Sequence, residues 1–193
     1  MAIKAIIFDC FGVLIMPGRT LLYQSFPQFS TEINDLEHQS DYGMLSRYDF
    51  NNSVAKLVGI TAEDVESKYY DVNVRNKEAI DWIRELKSSG CYKIGLLSNV
   101  GSGWLNDFLI ESERSELFDA VVLSSDVGMI KPDVEIFELI AARLGVDPFE
   151  CVMVDDLSSN IDGAARADMQ GIVFSSAAQA RIELDNILDS NNA

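Results

Sequence analysis

Five short apolar runs, each of strand length, alternate with helix-like stretches along most of this 193-residue chain. They cover residues 3–8, 93–97, 120–123, 151–154 and 171–174. None shows the apolar–polar alternation of a half-exposed strand, so both faces of each should be covered. The stretches between them carry helical stripes. Ile80, Ile83 and Leu86 recur on one face over 78–89, with Gly90 as the stop. Residues 132–144 begin with Pro132, end before Gly145, and place Ile136, Leu139, Ile140 and Leu144 on one face. Shorter helices are predicted over 160–167 and 177–188. Strands that alternate with helices in this way build an α/β fold, a doubly wound parallel sheet.

One stretch breaks the rhythm. Residues 16–77 contain no convincing buried strand and read as short helices over 21–29, 33–39, 48–58 and 62–70. Asp41-Tyr42-Gly43 and Gly59-Ile60-Thr61 look like joints, with Thr61 capping the last helix. The expected organisation is a Rossmann-like core from residues 1–15 and 78–193, with a small helical cap, 16–77, inserted after the first strand.

Apolar residues make up 48% of the chain, enough for a packed core rather than a disordered chain. The net charge of −16 argues against nucleic acid or an anionic membrane as partner. No apolar run approaches the ~20 residues of a membrane span. Cys10, Cys91 and Cys151 fit no zinc spacing and read as reduced, buried thiols. The expectation is a cytoplasmic monomer or homodimer.

In an open parallel sheet, sites form at the carboxyl ends of the strands. Asp9 follows the first run, Ser98-Asn99 the second, Asp155-Asp156 the fourth, and Lys131 lies in the loop after the third. This set suits phosphoryl transfer. Asp9 can attack phosphorus and carry the phosphoryl group. Mg²⁺ held by Asp9 and the Asp155-Asp156 pair would offset charge on the phosphoryl oxygens. Ser98 and neighbouring backbone N–H groups can hydrogen-bond the phosphate, and Lys131 supplies a point charge.

The segments Ile-Ile-Phe-Asp9-Cys-Phe-Gly-Val-Leu, Leu-Leu-Ser98-Asn99, Gly-Met-Ile-Lys131-Pro-Asp and Val-Met-Val-Asp155-Asp156 occur in that order. Together they resemble the haloacid dehalogenase-like (HAD) hydrolase superfamily over essentially the whole chain. Within it the chain is similar to the branch with a small helical cap typified by alpha-glucose-1-phosphate phosphatase. The resemblance implies a Mg²⁺-dependent phosphatase acting on a small phosphorylated metabolite, with a sugar phosphate the favoured class. It makes Asp9 the nucleophile and Lys131 its catalytic cation. Ser98, Asn99 and Lys131 would bind phosphate. The metal would be held by Asp9, the backbone carbonyl of Phe11, Asp155 and Asp156, with Asp156 the preferred direct ligand.

Phe11 departs from that pattern. Most phosphatases of the superfamily have a second aspartate there, which protonates the leaving group and later activates water. A phenyl ring does neither, and general acid–base help is worth about 10²–10⁴-fold. The departure implies slow turnover or good leaving groups. Two other readings follow: a 2-haloacid dehalogenase, whose family pattern has an aromatic residue at that position but lacks the Asp-Asp pair, and a catalytically impaired binding protein. His38, Arg19, Arg47 and Tyr42 are cap residues that could reach the substrate, Asp126 could support the site from behind, and Ser159 and Asn160 read as helix-start residues.

Overall fold

The chain opens with β1 (Ala5–Phe8), every residue of which is buried. A tight turn leads into β2 (Ile15–Met16). Four helices follow: α1 (Thr20–Ser25), α2 (Ser30–Asp41), α3 (Arg47–Val58) and α4 (Ala62–Tyr70). The two-residue strand β3 (Val74–Arg75) then returns antiparallel to β2, Met16 opposite Val74. Beyond it strands and helices alternate: α5 (Lys77–Ser89), β4 (Lys93–Ser98), α6 (Glu111–Leu117), β5 (Ala120–Leu123), α7 (Ser124–Val127), α8 (Val134–Leu144), β6 (Cys151–Asp155), α9 (Ser158–Arg166), β7 (Gln170–Val173) and α10 (Ala177–Asn192). This computed structural model describes residues 2–17, 20–70 and 73–192.

The main sheet has five strands in the order β5-β4-β1-β6-β7, all pairs parallel. Successive strand residues point to opposite faces. Ile6 and Phe8 therefore join Ile94, Leu96, Val152 and Val154 in a core under α5 and α10. Ala5 and Ile7 join Leu97, Cys151 and Met153 in a second core under α8 and α9. Burial on both sides is why these strands read as unbroken apolar runs.

Register sets the working edge. Phe8 lies opposite Leu96 on one side and Val154 on the other, so Asp9, Ser98 and Asp155 emerge at one end of the sheet. The Asn76 side chain caps α5 by accepting from Ala79 N at 3.3 Å and donates to Val13 O at 2.9 Å. The return from the helical unit is thereby tied to the turn after β1.

Helices α1–α4 share a small core of Leu22, Ile33, Phe50, Val54 and Val65, into which the loop after β4 inserts Val100 and Trp104. Phe50 meets the Trp104 ring edge-on with centroids 6.3 Å apart. The Arg47 guanidinium stacks 4.3 Å from the Trp104 centroid while pairing with Glu66 at 2.7 Å and with Asp107. Ser40 lies so near Gly101 that a Cβ there would fall 2.2 Å from its Oγ. The loop after β4, with Val100, Gly101 and Trp104, thus keys the helical unit to the sheet. Arg47→Ala should destabilise the protein by about 1 kcal/mol, given cation–π and partly exposed ion-pair energies. Urea unfolding of the variant beside the parent measures this.

The expected helices are present, with bounds shifted by a few residues, except that the one over 21–29 is broken at Phe26 into α1 and a 3₁₀ turn over Pro27–Phe29. The β2–β3 pair, α6 and α7 were not foreseen. Cys10 and Cys151 are buried as expected, but Cys91 is exposed, because it lies in the turn between α5 and β4 rather than within the strand. Among the described residues no helix is long and apolar enough to cross a membrane.

Candidate active site

Asp9 leaves β1 with its N–H donating to Val154 O at 2.9 Å, so the strand ladder fixes the backbone beneath its carboxylate. The side chain is buried. Lys131 reaches it from the loop before α8 and uses three contacts: Asp9 Oδ1 at 2.8 Å, Asp155 Oδ2 at 2.6 Å and Leu97 O at 3.0 Å. An ammonium has three protons, so this lysine is fully committed. Asp155 in turn accepts from Leu157 N at 2.9 Å and from Asn160 Nδ2 at 3.0 and 3.1 Å. Asn160, read from sequence as a helix-start residue, lies on α9 and orients this carboxylate.

Asn99 holds the Lys131 loop. Its Nδ2 donates to Lys131 O, and its Oδ1 accepts from Lys131 N, both at 2.8 Å. The amide expected to face phosphate is thus clamped to the backbone that carries the lysine. Ser98, fully buried at the end of β4, has an Oγ with no hydrogen-bond partner among the described residues. A buried hydroxyl left this way costs free energy until something bonds it.

Asp9, Asp155 and Asp156 each offer a carboxylate oxygen, all within 4.8 Å of one another. Among the described residues, one ammonium stands against these three carboxylates. Burial pushes the Asp9 carboxyl up to about 7; Lys131 opposes the rise, and Asp155 and Asp156 add to it. Burial and the neighbouring Asp155 also push Asp156 up. For Lys131, burial acts downward, but Asp155 and Asp9 outweigh it and hold the amine protonated. The cluster is short of positive charge, and its donors are all hard oxygens. Both properties fit Mg²⁺.

Gly12 completes this fit. It has φ +97°, and a Cβ there would fall 2.4 Å from the Asp156 carboxylate. The missing side chain lets Asp156 swing in beside Asp9. Gly12→Ala should displace Asp156 and weaken Mg²⁺ binding at this cluster by about 10–100-fold, the usual scale for disturbing the groups around a metal site. A Mg²⁺ binding titration of the variant beside the parent measures it.

Above these residues lies a cleft of about 390 Å³. The sheet edge supplies Asp9, Lys131, Asp156 and Ser159; the helices supply Tyr23, Asn34, Glu37, His38 and Asp41. The Phe11 ring forms part of the wall and meets Phe108 edge-on, centroids 5.6 Å apart. His38 is exposed but borders the cleft. Arg47 is engaged at Trp104, and burial and the neighbouring Asp133 hold the Tyr42 phenol above its ordinary range. Asp126 is exposed on α7, away from the cleft lining, and Arg19 lies outside the described residues. Glu37 and Asp41 escaped the sequence reading. Their signal is a polar stripe, Asn34, Glu37 and Asp41, at helical spacing on a helix that also buries Ile33.

A family model described as haloacid dehalogenase-like hydrolase matches residues 3–168. D-ribitol-5-phosphate phosphatase of Bacteroides thetaiotaomicron is 30% identical, over 97% of this chain and all of that protein. Pyrophosphatase PpaX of Bacillus cereus is 24% identical, over 96% of this chain and 89% of its own length. A magnesium complex of a HAD family enzyme from Bacteroides thetaiotaomicron superposes with a TM-score of 0.77 at 20% identity, covering 91% of this chain and 95% of the other.

Proposed function

The chain belongs to the haloacid dehalogenase-like hydrolase family, and we propose that it is a Mg²⁺-dependent phosphatase working through an aspartyl-phosphate on Asp9. The observation that carries this is the Lys131 bridge. One ammonium holds Asp9 Oδ1 and Asp155 Oδ2 together, with Asp156 beside them.

Lys131 occupies Oδ1 and leaves Oδ2 of Asp9 for attack on phosphorus. As the new O–P bond forms, the bond to the leaving oxygen breaks; an alkoxide oxygen takes up a proton from water, since Phe11 supplies none, whereas an aryl oxide leaves as the anion. Water then cleaves the acyl phosphate and regenerates Asp9. Mg²⁺, held by Asp9, Asp156 and the Phe11 carbonyl with Asp155 behind, would supply positive charge to the phosphoryl oxygens. Ser98 Oγ offers the phosphate a hydrogen bond. Asn99 serves the phosphate through Lys131, whose loop it clamps. Residues 16–77, as a cap, would exclude water and set specificity.

Phe11 leaves no acid two residues after the nucleophile, so protonation of the leaving group limits poor leaving groups. The 30% identical relative, D-ribitol-5-phosphate phosphatase, supports a small phosphorylated metabolite of sugar or polyol type as substrate.

The test is phosphate release from an aryl phosphate, with Mg²⁺ and with chelator. An aryl oxide leaves without protonation, so Phe11 does not mask activity. Release that requires Mg²⁺ supports the proposal; equal release with chelator, or none, overturns it. Mg²⁺ at about 100 times its Kd should also stabilise the fold by about 2.7 kcal/mol, read as a shift in thermal unfolding.

A further inference from the structure

Ser124 is a fully buried polar side chain with no role in the chemistry above. We infer that it is a positioning residue for phosphoryl transfer: its hydroxyl fixes the backbone that follows β4, on which Ser98 and Asn99 sit. This rests on the phosphatase reading of the same site.

The parallel ladder between β4 and β5 runs from Gly95 opposite Ala120 to Ser98 opposite Leu123. One step further on, β5 gives way to α7, so the chain leaving β4 loses its strand partner on that side where the site residues begin. Ser124, the first residue of α7, takes that place with its side chain. Its Oγ accepts from Val100 N at 2.9 Å and donates, more loosely, to Val100 O at 3.4 Å. A hydroxyl has one proton to give, and here it both gives and accepts on the backbone of a single residue. Val100 N–H is thereby withdrawn from the groups that could meet a phosphate.

The hold matters because this loop also serves the helical unit. Val100 and Trp104 put their side chains into the core of that unit, so the backbone leaves the line of the sheet directly after Asn99. Asn99 lies between Ser98, buried at the end of β4, and the Val100 that Ser124 fixes. Its amide holds Lys131 N and O, both at 2.8 Å, and Lys131 reaches Asp9 at 2.8 Å. A shift at Val100 therefore passes to the Ser98 hydroxyl and to the ammonium beside the nucleophile. Asp156 and Phe11 follow β6 and β1 instead. Ser124 should thus govern the phosphate side of the site and leave the metal side in place.

The experiment sets Ser124→Ala and Ser124→Cys beside the parent, with each quantity expressed per folded molecule. Three are read: kcat on an aryl phosphate at saturating Mg²⁺, calorimetric binding of inorganic phosphate in the presence of Mg²⁺, and Mg²⁺ affinity by direct titration. In Ser124→Ala, kcat should fall by about 10–100-fold, the scale for misplacing reacting groups by up to about 1 Å. Phosphate binding should weaken several-fold, while Mg²⁺ affinity stays near the parent's. A thiol nearly keeps the shape of serine but is a weak donor and acceptor, so Ser124→Cys should fall between the two. It fills the same space, and it carries the test if the alanine variant does not fold. A residue needed only for folding would lower the unfolding temperature and leave all three quantities unmoved; that result would overturn the inference. So would a loss of Mg²⁺ affinity that matches the loss of phosphate binding, because the whole site would then be distorted. Mg²⁺-dependent aryl phosphate hydrolysis by the parent separates these failures from failure of the phosphatase reading, with which the inference would fall.

Discussion

Asp9→Asn should abolish phosphate release while leaving the protein folded. Loss of a covalent nucleophile is felt on the scale of about 10⁴-fold or more in turnover, and an amide oxygen cannot replace a carboxylate in attack on phosphorus. The fold should tolerate the change for a reason specific to this site. Asparagine keeps an oxygen for Lys131, which sits 2.8 Å from Asp9 Oδ1, and removes one of three clustered negative charges. The pH dependence makes this a sharper test. In the metal-free protein burial holds Asp9 up to about 7, against an ordinary 3.8. Between those values the folded state binds more protons than the unfolded one, so stability falls as pH rises through that window. The contribution is fully present below about pH 4 and gone above about pH 7. The variant has no such group. Its thermal stability in chelator should match or exceed the parent's at pH 8, and that advantage should shrink toward pH 4. Unfolding curves at the two pH values would contradict the assignment if the variant were the less stable at pH 8.

The sheet and its working edge could be read in the sequence because of how they are buried. Both faces of β1, β4 and β6 are covered, so each is an unbroken apolar run, and each run ends at a polar residue, Asp9, Ser98 or Asp155. Parallel pairing then brings those ends together with no further information. What escaped the reading was short or tertiary. The β2–β3 pair has two residues in each strand, too few to carry a period. Helices α6 and α7 have seven and four residues, too short for a stripe. The role of Asn99 depends on the loop it clamps 32 residues away, and Asn160 gains its role only when α9 is laid beside β6. The orientation of α2 depends on Trp104 entering the small core between the helices. Periodicity could show that Ile33 is buried. It could not show that Glu37 and Asp41 line the cleft that Asp9 also lines, because a polar stripe on a helix more often faces water.

Phe11 shows the same limit at a single position. From sequence it is an absence, a missing acid. In the structure it is also a wall, packed edge-on against Phe108 and bordering the cleft. Phe11→Asp therefore does more than restore a proton donor. It removes an aromatic contact and sets another carboxylate near Asp9, Asp155 and Asp156, where charge is already unbalanced. A gain on poor leaving groups is to be sought with Mg²⁺ saturating, when the cation offsets that added charge.

Lys131→Met should cost both stability and turnover, and the two losses should share one origin. Methionine nearly matches lysine in length and packs well, so little is lost in shape. What goes is the ammonium that bonds Asp9 at 2.8 Å, Asp155 at 2.6 Å and Leu97 O at 3.0 Å in a fully buried position. Removing one partner of a buried ion pair typically destabilises by 3–5 kcal/mol, since the other charges stay buried without it; about that loss should appear in urea unfolding without metal. The amine is held above its ordinary 10.5 by Asp155 and Asp9 despite its burial. Its contribution is therefore present throughout the neutral range and lost only as pH rises above that value. Turnover should fall by at least about 10²-fold, the scale for losing one preorganised charge at a reacting centre. Lys131→Arg should not rescue it, because a planar fork does not reproduce three bonds from one point charge. Adding Asp155→Asn to Lys131→Met should lose less stability than the sum of the single losses, because the second change removes a charge the first left unpaired. A Lys131→Met protein within about 1 kcal/mol of the parent, with turnover within tenfold, would mean that the ammonium is not what organises this site.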